Sequence, residues 1–369
     1  MRAVDRAAAL AILAFAAAAQ AKDPPIAEEA YRNVNRALIE AHVLPRYDRF
    51  AAMGSAFATR IDTLCAAPPP RNLAPARAAF DTALGAWMGI AHIQEGPANM
   101  FMRKTRLIFW PDKRGRTGRR LDAFIAAGDA GILAPEKFPD ASVALQGFGA
   151  AERLLYDGDH VQQLATAPDG LRCRLLRAIG RNVSAIGADL TREWRTDGAS
   201  FAAALRRPGD PASRFGSHRE ATGLFVNGMF TSLKIIVDFK LDRVLGKTIE
   251  RARPKRAESW RSGRSLRNIV DGLSALRDLY EGENGAAGLR ALLPQRRAAT
   301  AGLLSTAFER TLATARGIQG PLSRAVSDAT ARERVLLLAR QARALKALVA
   351  RDLAPALGTP LGFNALDGD

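Results

Sequence analysis

Residues 170–196 read GLRCRLLRAIGRNVSAIGADLTREWRT. Here Cys173, Leu176, Ile179, Val183, Ile186, Leu190 and Trp194 recur at steps of three and four. That spacing puts them on one face of a helix that turns about every 3.6 residues. The same texture continues on both sides. It predicts helices over residues 27–66, with Val34, Leu38, His42 and Pro45 on one side, and over 73–94, with Phe80, Leu84, Trp87, Met88 and Ala91. Further helices are predicted near 119–127 and 142–156, then over 217–245, 258–280, 294–318 and 327–353. No alternating run reads as a strand, so the predicted fold class is all-α. Four long amphipathic helices in a row are what a four-helix bundle needs, and the N-terminal half offers a similar set. The expectation is therefore two helical bundles in series, divided at Arg207-Pro208-Gly209-Asp210-Pro211, with an N-terminal domain over 22–206 and a C-terminal domain over 212–369. Pro45 is expected to kink or break the first helix, and Pro68-Pro69-Pro70 to stop it.

The amino terminus has the pattern of an export signal. A short charged region from Met1 to Arg6 precedes an apolar run from Ala7 to Ala18 and an Ala19-Gln20-Ala21 cleavage site. The run is too short to span a bilayer. The mature chain is expected to begin at Lys22, to lie in the periplasm and to carry no transmembrane segment. No cysteine near the cut offers a lipid anchor, and the two cysteines, Cys65 and Cys173, read as one disulfide in an oxidising compartment.

The formal net charge is +17, from 54 Lys and Arg against 37 Asp and Glu. Nucleic acid is not the expected partner, because the arginines are scattered along nearly every helix and the chain is exported. An Arg- and Ala-rich composition reads first as a solvated surface. Between anionic partners, outer-membrane lipid or a small anionic ligand is expected over DNA. A metal ion and an envelope protein are further candidate partners.

Two segments carry the chemistry. In Leu145-Gln146-Gly147-Phe148-Gly149-Ala150-Ala151-Glu152 two glycines sit inside a predicted helix, where each costs about 1 kcal/mol relative to alanine. Such glycines mark the close approach of another backbone or of a ligand. Between Met100 and Gly118 the periodicity lapses, and Arg106, Trp110 and Asp112 crowd into what reads as an ordered functional loop.

The ordered set Leu44-Pro45-Arg46-Tyr47, Gly96-Pro97, Phe109-Trp110-Pro111-Asp112, the stretch from Gln146 to Leu155, Trp260-Arg261-Ser262-Gly263 and the terminal Gly362 to Asp369 resembles the imelysin-like family. These are exported bacterial proteins linked to iron uptake and formerly classed as metallopeptidases. The resemblance implies two helical bundles with the functional site in a cleft between them. The family motif G-x-H-x-x-E departs here, since Gly149 stands at the histidine position and only Glu152 remains.

Domain-interface candidates for ligand binding are therefore His92, Glu95, Arg106, Trp110, Asp112, Gln146, Gly147, Gly149, Glu152, Arg261 and Ser262. His92 and Glu95 are three apart, which would place them on one helix face, and His92 with Glu152 is the weak candidate pair for iron or another metal. A catalytic zinc site needs three protein ligands. With four histidines in the chain, no H-E-x-x-H and no G-x-S-x-G, a non-catalytic binding or accessory role in iron uptake is expected over peptidase chemistry. A structural reading stands beside each candidate. His92 also reads as a hydrogen-bonded histidine at a helix end, His42 as packing, His160 as part of a polar loop, His218 as a helix start, Asp112 as a turn cap and Glu152 as half of an ion pair with an arginine.

Overall fold

The computed structural model describes residues 25–66, 71–167, 170–195 and 200–362. The expected export signal, the Pro68-Pro69-Pro70 stop and the last seven residues of the carboxy-terminal stretch lie outside them. Among the described residues the chain is helical with no strand, as the periodicity predicts. The principal helices are α1 (Glu28–Ala37), α2 (Leu44–Ala66), α3 (Leu73–Met88), α4 (Arg116–Ala127), α5 (Phe148–Tyr156), α6 (Gly158–Thr166), α7 (Leu171–Arg195), α8 (Phe201–Arg206), α9 (His218–Lys234), α10 (Ser265–Glu281), α11 (Ala298–Gly317) and α12 (Ala329–Leu348). Among these residues no helix is long and apolar enough to cross a membrane.

The first helix does not break at Pro45. A π-helical segment, Leu38–Val43, widens the coil just upstream, and α2 restarts at Leu44. Pro45 is then the second residue of an α segment, where a missing N–H costs least. The same device recurs at Val349–Leu353, ahead of Pro355, and a third π segment, Ile235–Asp242, extends α9.

α2 and α7 run antiparallel and form the axis of the N-terminal set. Their contact is built on small residues. A Cβ on Gly187 would lie 2.8 Å from Ala51 Cα, and one on Gly180 3.1 Å from Ala58 Cα. Neither helix offers a side chain to hold the backbones apart, so they approach closely. Cys173 leads one end of this pair and meets Cys65 in a disulfide, with Cα atoms 5.7 Å apart. α3 and α5 pack against the pair, bringing Phe57, Phe80 and Phe148 into mutual ring contact.

α9, α10, α11 and α12 pack as a second set. Contacts of α1 with α9 and of α3 with α10 join the two, and one cluster of buried apolar side chains runs from Tyr31 to Leu357 through both. α1 thus precedes the N-terminal set in sequence but packs on the C-terminal one.

Several boundaries differ from the periodic reading. The helix expected to reach residue 94 ends at Met88, and residues 89–92 are turns. Residues 258–264, expected to be helical, are turns before α10. His160, expected in a loop, lies in α6. The helix expected over 142–156 is cut in two, into Val143–Gln146 and α5, because Gly147 is extended (φ −130°, ψ −161°). The carbonyl oxygens of Arg106 and Leu107 occupy the place where a Cβ on Gly147 would stand. Gly149, two residues on, is different, since only Thr117 Cγ2, at 3.9 Å, lies near its missing Cβ.

Gly147→Ala should therefore lower stability by about 1–3 kcal/mol through overpacking, whereas Gly149→Ala should leave it unchanged or raise it by up to about 1 kcal/mol. Denaturant midpoints of the two variants check this. The Cys65→Ala/Cys173→Ala double variant should lose about 3–5 kcal/mol, as expected for opening a loop of 108 residues in sequence separation. The same reading of the unfolding curve tests it.

Candidate functional site

A cavity of about 290 Å³ opens between the two helical sets. One wall comes from the loop that carries Phe109, Trp110, Pro111 and Asp112, and from the start of α5 with Phe148, Gly149 and Glu152. The other comes from Arg243 and from residues 255–261, including Glu258, Trp260 and Arg261. The loop is held by Asp112, whose carboxylate accepts hydrogen bonds from the N–H groups of Arg116 (2.7 Å) and Thr117 (2.9 Å) at the start of α4. Burial pushes this carboxyl up, but the bonds from Thr117 and Arg116 outweigh it, and the group lies below its ordinary value.

Glu152 projects from α5 and is buried. One of its oxygens accepts from the Ser262 N–H at 2.8 Å and from the Ser262 hydroxyl at 2.7 Å. Burial is the leading influence and lifts the carboxyl above its usual range, against the Ser262 bonds and the charge of Arg261. Arg261 itself donates to Asp157 at 2.7 and 2.9 Å and lies 4.3 Å from the centroid of the Trp260 ring. Lys255 lies 5.8 Å from the same ring, so two cations are within cation–π reach of one tryptophan. Glu258, the third carboxylate lining the cavity, is paired in the interior with Lys240 at 2.7 Å and accepts from Asn268 at 2.8 Å.

Of the residues expected at the site, Trp110, Asp112, Gly149, Glu152 and Arg261 line this cavity, and Ser262 holds Glu152 from behind. Gly147 shapes the wall without facing it. The remaining candidates sit elsewhere. Arg106 donates to Gln146 Oε1 at 2.7 Å and also bonds Asn182. Gln146, fully buried, donates to the Pro139 and Ala141 carbonyls. That cluster pins the loop to α7. Glu95 makes an ion pair with Arg214 at 2.9 Å, with both side chains about half exposed. Because α3 ends at Met88, the shared helix face expected for His92 and Glu95 does not form.

His92 and Glu152 are not partners either. The Nε2 atom of His92 lies 2.9 Å from Nε2 of His42, on the π segment, so one ring donates and the other accepts. His42 Nδ1 in turn lies 3.2 Å from Glu283 and 3.3 Å from Arg46 Nε. Burial holds both imidazoles well below their ordinary value, helped for His42 by Arg46 and for His92 by the His42 ring and then Arg46. Both are neutral at neutral pH. This pair was invisible to sequence reading, for the two histidines are fifty residues apart and sit on segments with no common periodicity. Among the described residues no three His, Cys, Asp or Glu side chains gather as a metal ion would need.

A second cavity of about 560 Å³ lies between α3 and α10. Its carboxylates are already matched: Asp278 and Glu283 with Arg46, Asp271 with Arg264, and Asp81 with Arg267. The first cavity instead brings aromatic walls, bound carboxylates and cations together, and five of the expected residues line it.

The fold has known counterparts. A crystal structure of an imelysin-like protein from Psychrobacter arcticum 273-4 superposes with a TM-score of 0.75 at 18% identity, covering 93% of this chain and all of that one. A candidate iron-regulated protein A precursor from Parabacteroides distasonis ATCC 8503 gives a TM-score of 0.73 at 19% identity, covering 89% of this chain and 96% of its own. At these identities the likeness shows the fold. Among curated protein sequences there is no match. The model of the peptidase M75 family, Imelysin, matches residues 43–349, most of the chain, and with the helical architecture just described the protein belongs to the imelysin family.

Proposed function

We infer that this chain is an exported, non-catalytic binding component of iron uptake that works from the cleft between its two helical sets. The observation that carries the reading is the state of the cleft carboxylates. Asp112 is spent on the α4 N-terminus, Glu152 on Ser262 and Glu258 on Lys240. Among the described residues none is hydrogen-bonded to a histidine or to a second acid, as acid–base hydrolysis would require, while Trp110 and Trp260 furnish the apolar walls of a binding pocket. The link to iron is supported by family membership and by the name of the Parabacteroides relative. A periplasmic location is supported by the signal-like amino terminus and by a disulfide of the kind that persists in oxidising compartments. The two bundles act as domains in this reading, and Trp110, Gly149, Glu152, Arg261 and Ser262 shape the site.

Titration calorimetry of the mature chain with ferric and ferrous ions, zinc, copper and ferric chelates tests the function. Heat is expected with an iron-bearing species, and its absence with all of them would sink the reading. A protein substrate cut by the wild type, but not after chelation nor by Glu152→Ala, would restore the peptidase. Glu152 is expected instead to act as a structural post. Glu152→Ala leaves the Ser262 N–H without its acceptor, while the hydroxyl keeps the Ser259 carbonyl at 3.1 Å, and should cost about 1–3 kcal/mol of stability. Because the folded chain holds the Glu152 proton more tightly than the unfolded chain does, its contribution to stability falls as pH rises from the ordinary carboxylate range through the raised folded value. Glu152→Gln should flatten that part of the stability–pH curve, which denaturation at stepped pH measures.

A further inference from the structure

We propose that the cleft receives its iron as an anionic chelate, gripped by Arg243, Lys255 and Arg256 at its mouth and stacked against the two tryptophans. This rests on the iron reading above and names the chemical form of the cargo.

Charge is the first argument. Six cations and three carboxylates line the cavity, and all three carboxylates are bound by protein donors. Asp112 uses both its oxygens and Glu152 and Glu258 one each, and among the described residues no three His, Cys, Asp or Glu side chains gather, so a bare ferric or ferrous ion finds no ligand set. An anion need displace nothing. Among the described residues the side chains of Arg243 and Arg256 make no hydrogen bond and no ion pair, and Arg243 lies in the field of Arg256 and Arg253, like charges with no acid among them. Charges of one sign gathered at a cleft with low-dielectric walls attract an oppositely charged ligand and destabilise the free protein. An anion at the mouth relieves that repulsion.

The walls are the second argument. Lys255 and Arg261 lean over the face of Trp260, so a planar anionic group on that side meets a ring and ammonium or guanidinium donors together. Guanidinium groups match carboxylate oxygens two at a time, which suits a chelate that presents several carboxylates or phenolates around its metal. At about 290 Å³ the space lies at the lower end of what ligand pockets offer, enough for a compact chelate.

The test uses the intact mature chain and tryptophan fluorescence, with ferric citrate, iron-free citrate and ferrous sulfate as probes. Ferric citrate is expected to bind, with affinity falling as salt rises. Lys255→Glu/Arg256→Glu should weaken that binding at least tenfold, about 1.4 kcal/mol, without lowering the unfolding midpoint. Lys137→Glu/Arg324→Glu makes the same change of net charge at exposed positions outside the cavity and should leave binding within about twofold. The chelate proposal is overturned if ferrous sulfate binds at least as tightly and the mouth variant matches the wild type, or if both double variants lose affinity equally. Equal binding of citrate with and without iron would keep the anion site but remove iron from the function, and no binding by any iron-bearing probe would overturn the functional reading itself.

Discussion

The close approach of α2 and α7 is the constraint on which the rest of the structure depends. Two long helices can come within reach of each other's backbones only where side chains are small. Gly180 and Gly187 on α7 face Ala58 and Ala51 on α2, and the disulfide closes one end of the pair. With the axis set this way, α3 and α5 have a fixed groove to fill. The ring contacts of Phe57, Phe80 and Phe148 follow from it. Those rings place the start of α5, and hence Gly149 and Glu152, at the cleft.

A second backbone contact refines this placement. The carbonyls of Arg106 and Leu107 press on Gly147, which breaks what would be one helix and turns α5 toward the C-terminal set. The same loop carries Trp110 and Asp112 to the wall that α5 begins. Arg106, Gln146 and Asn182 form the polar knot that keeps the loop in place. Residues that look like ligands in the sequence thus play different parts. Some shape the wall, some fasten it, and a few face the space.

Electrostatics then separates the two cavities. A buried charge is stable only when paired and hydrogen-bonded, and the interior obeys this with Lys240 and Glu258, Arg264 and Asp271, and Arg103 and Glu193. Between α3 and α10 every carboxylate lining the cavity is matched by an arginine. In the cleft the acids are engaged inward and, among the described residues, Arg243 and Arg256 at the mouth are left without a carboxylate partner, which is the basis of the anion site we propose.

The sequence by itself determined the all-helical class, the main helices and the cysteine pairing, because each follows from local periodicity or from simple counting. The Asp112 cap and the significance of Gly147 were legible too, since a capping carboxylate and a glycine without helical reason both act over a few residues. What only the tertiary structure decided depends on groups far apart in the chain. Ser262 rather than an arginine satisfies Glu152, across 110 residues. His92 meets His42 and not Glu95, because α3 ends at Met88, six residues short of the expected 94, and His42 is buried on a π segment. Pro45 passes without a break because the π segment ends at Val43 and places it second in α2. The unmatched cations at the cleft were hidden among the scattered arginines of a +17 chain. Which of them lack a partner is a property of distances, and distances between remote segments are set by packing.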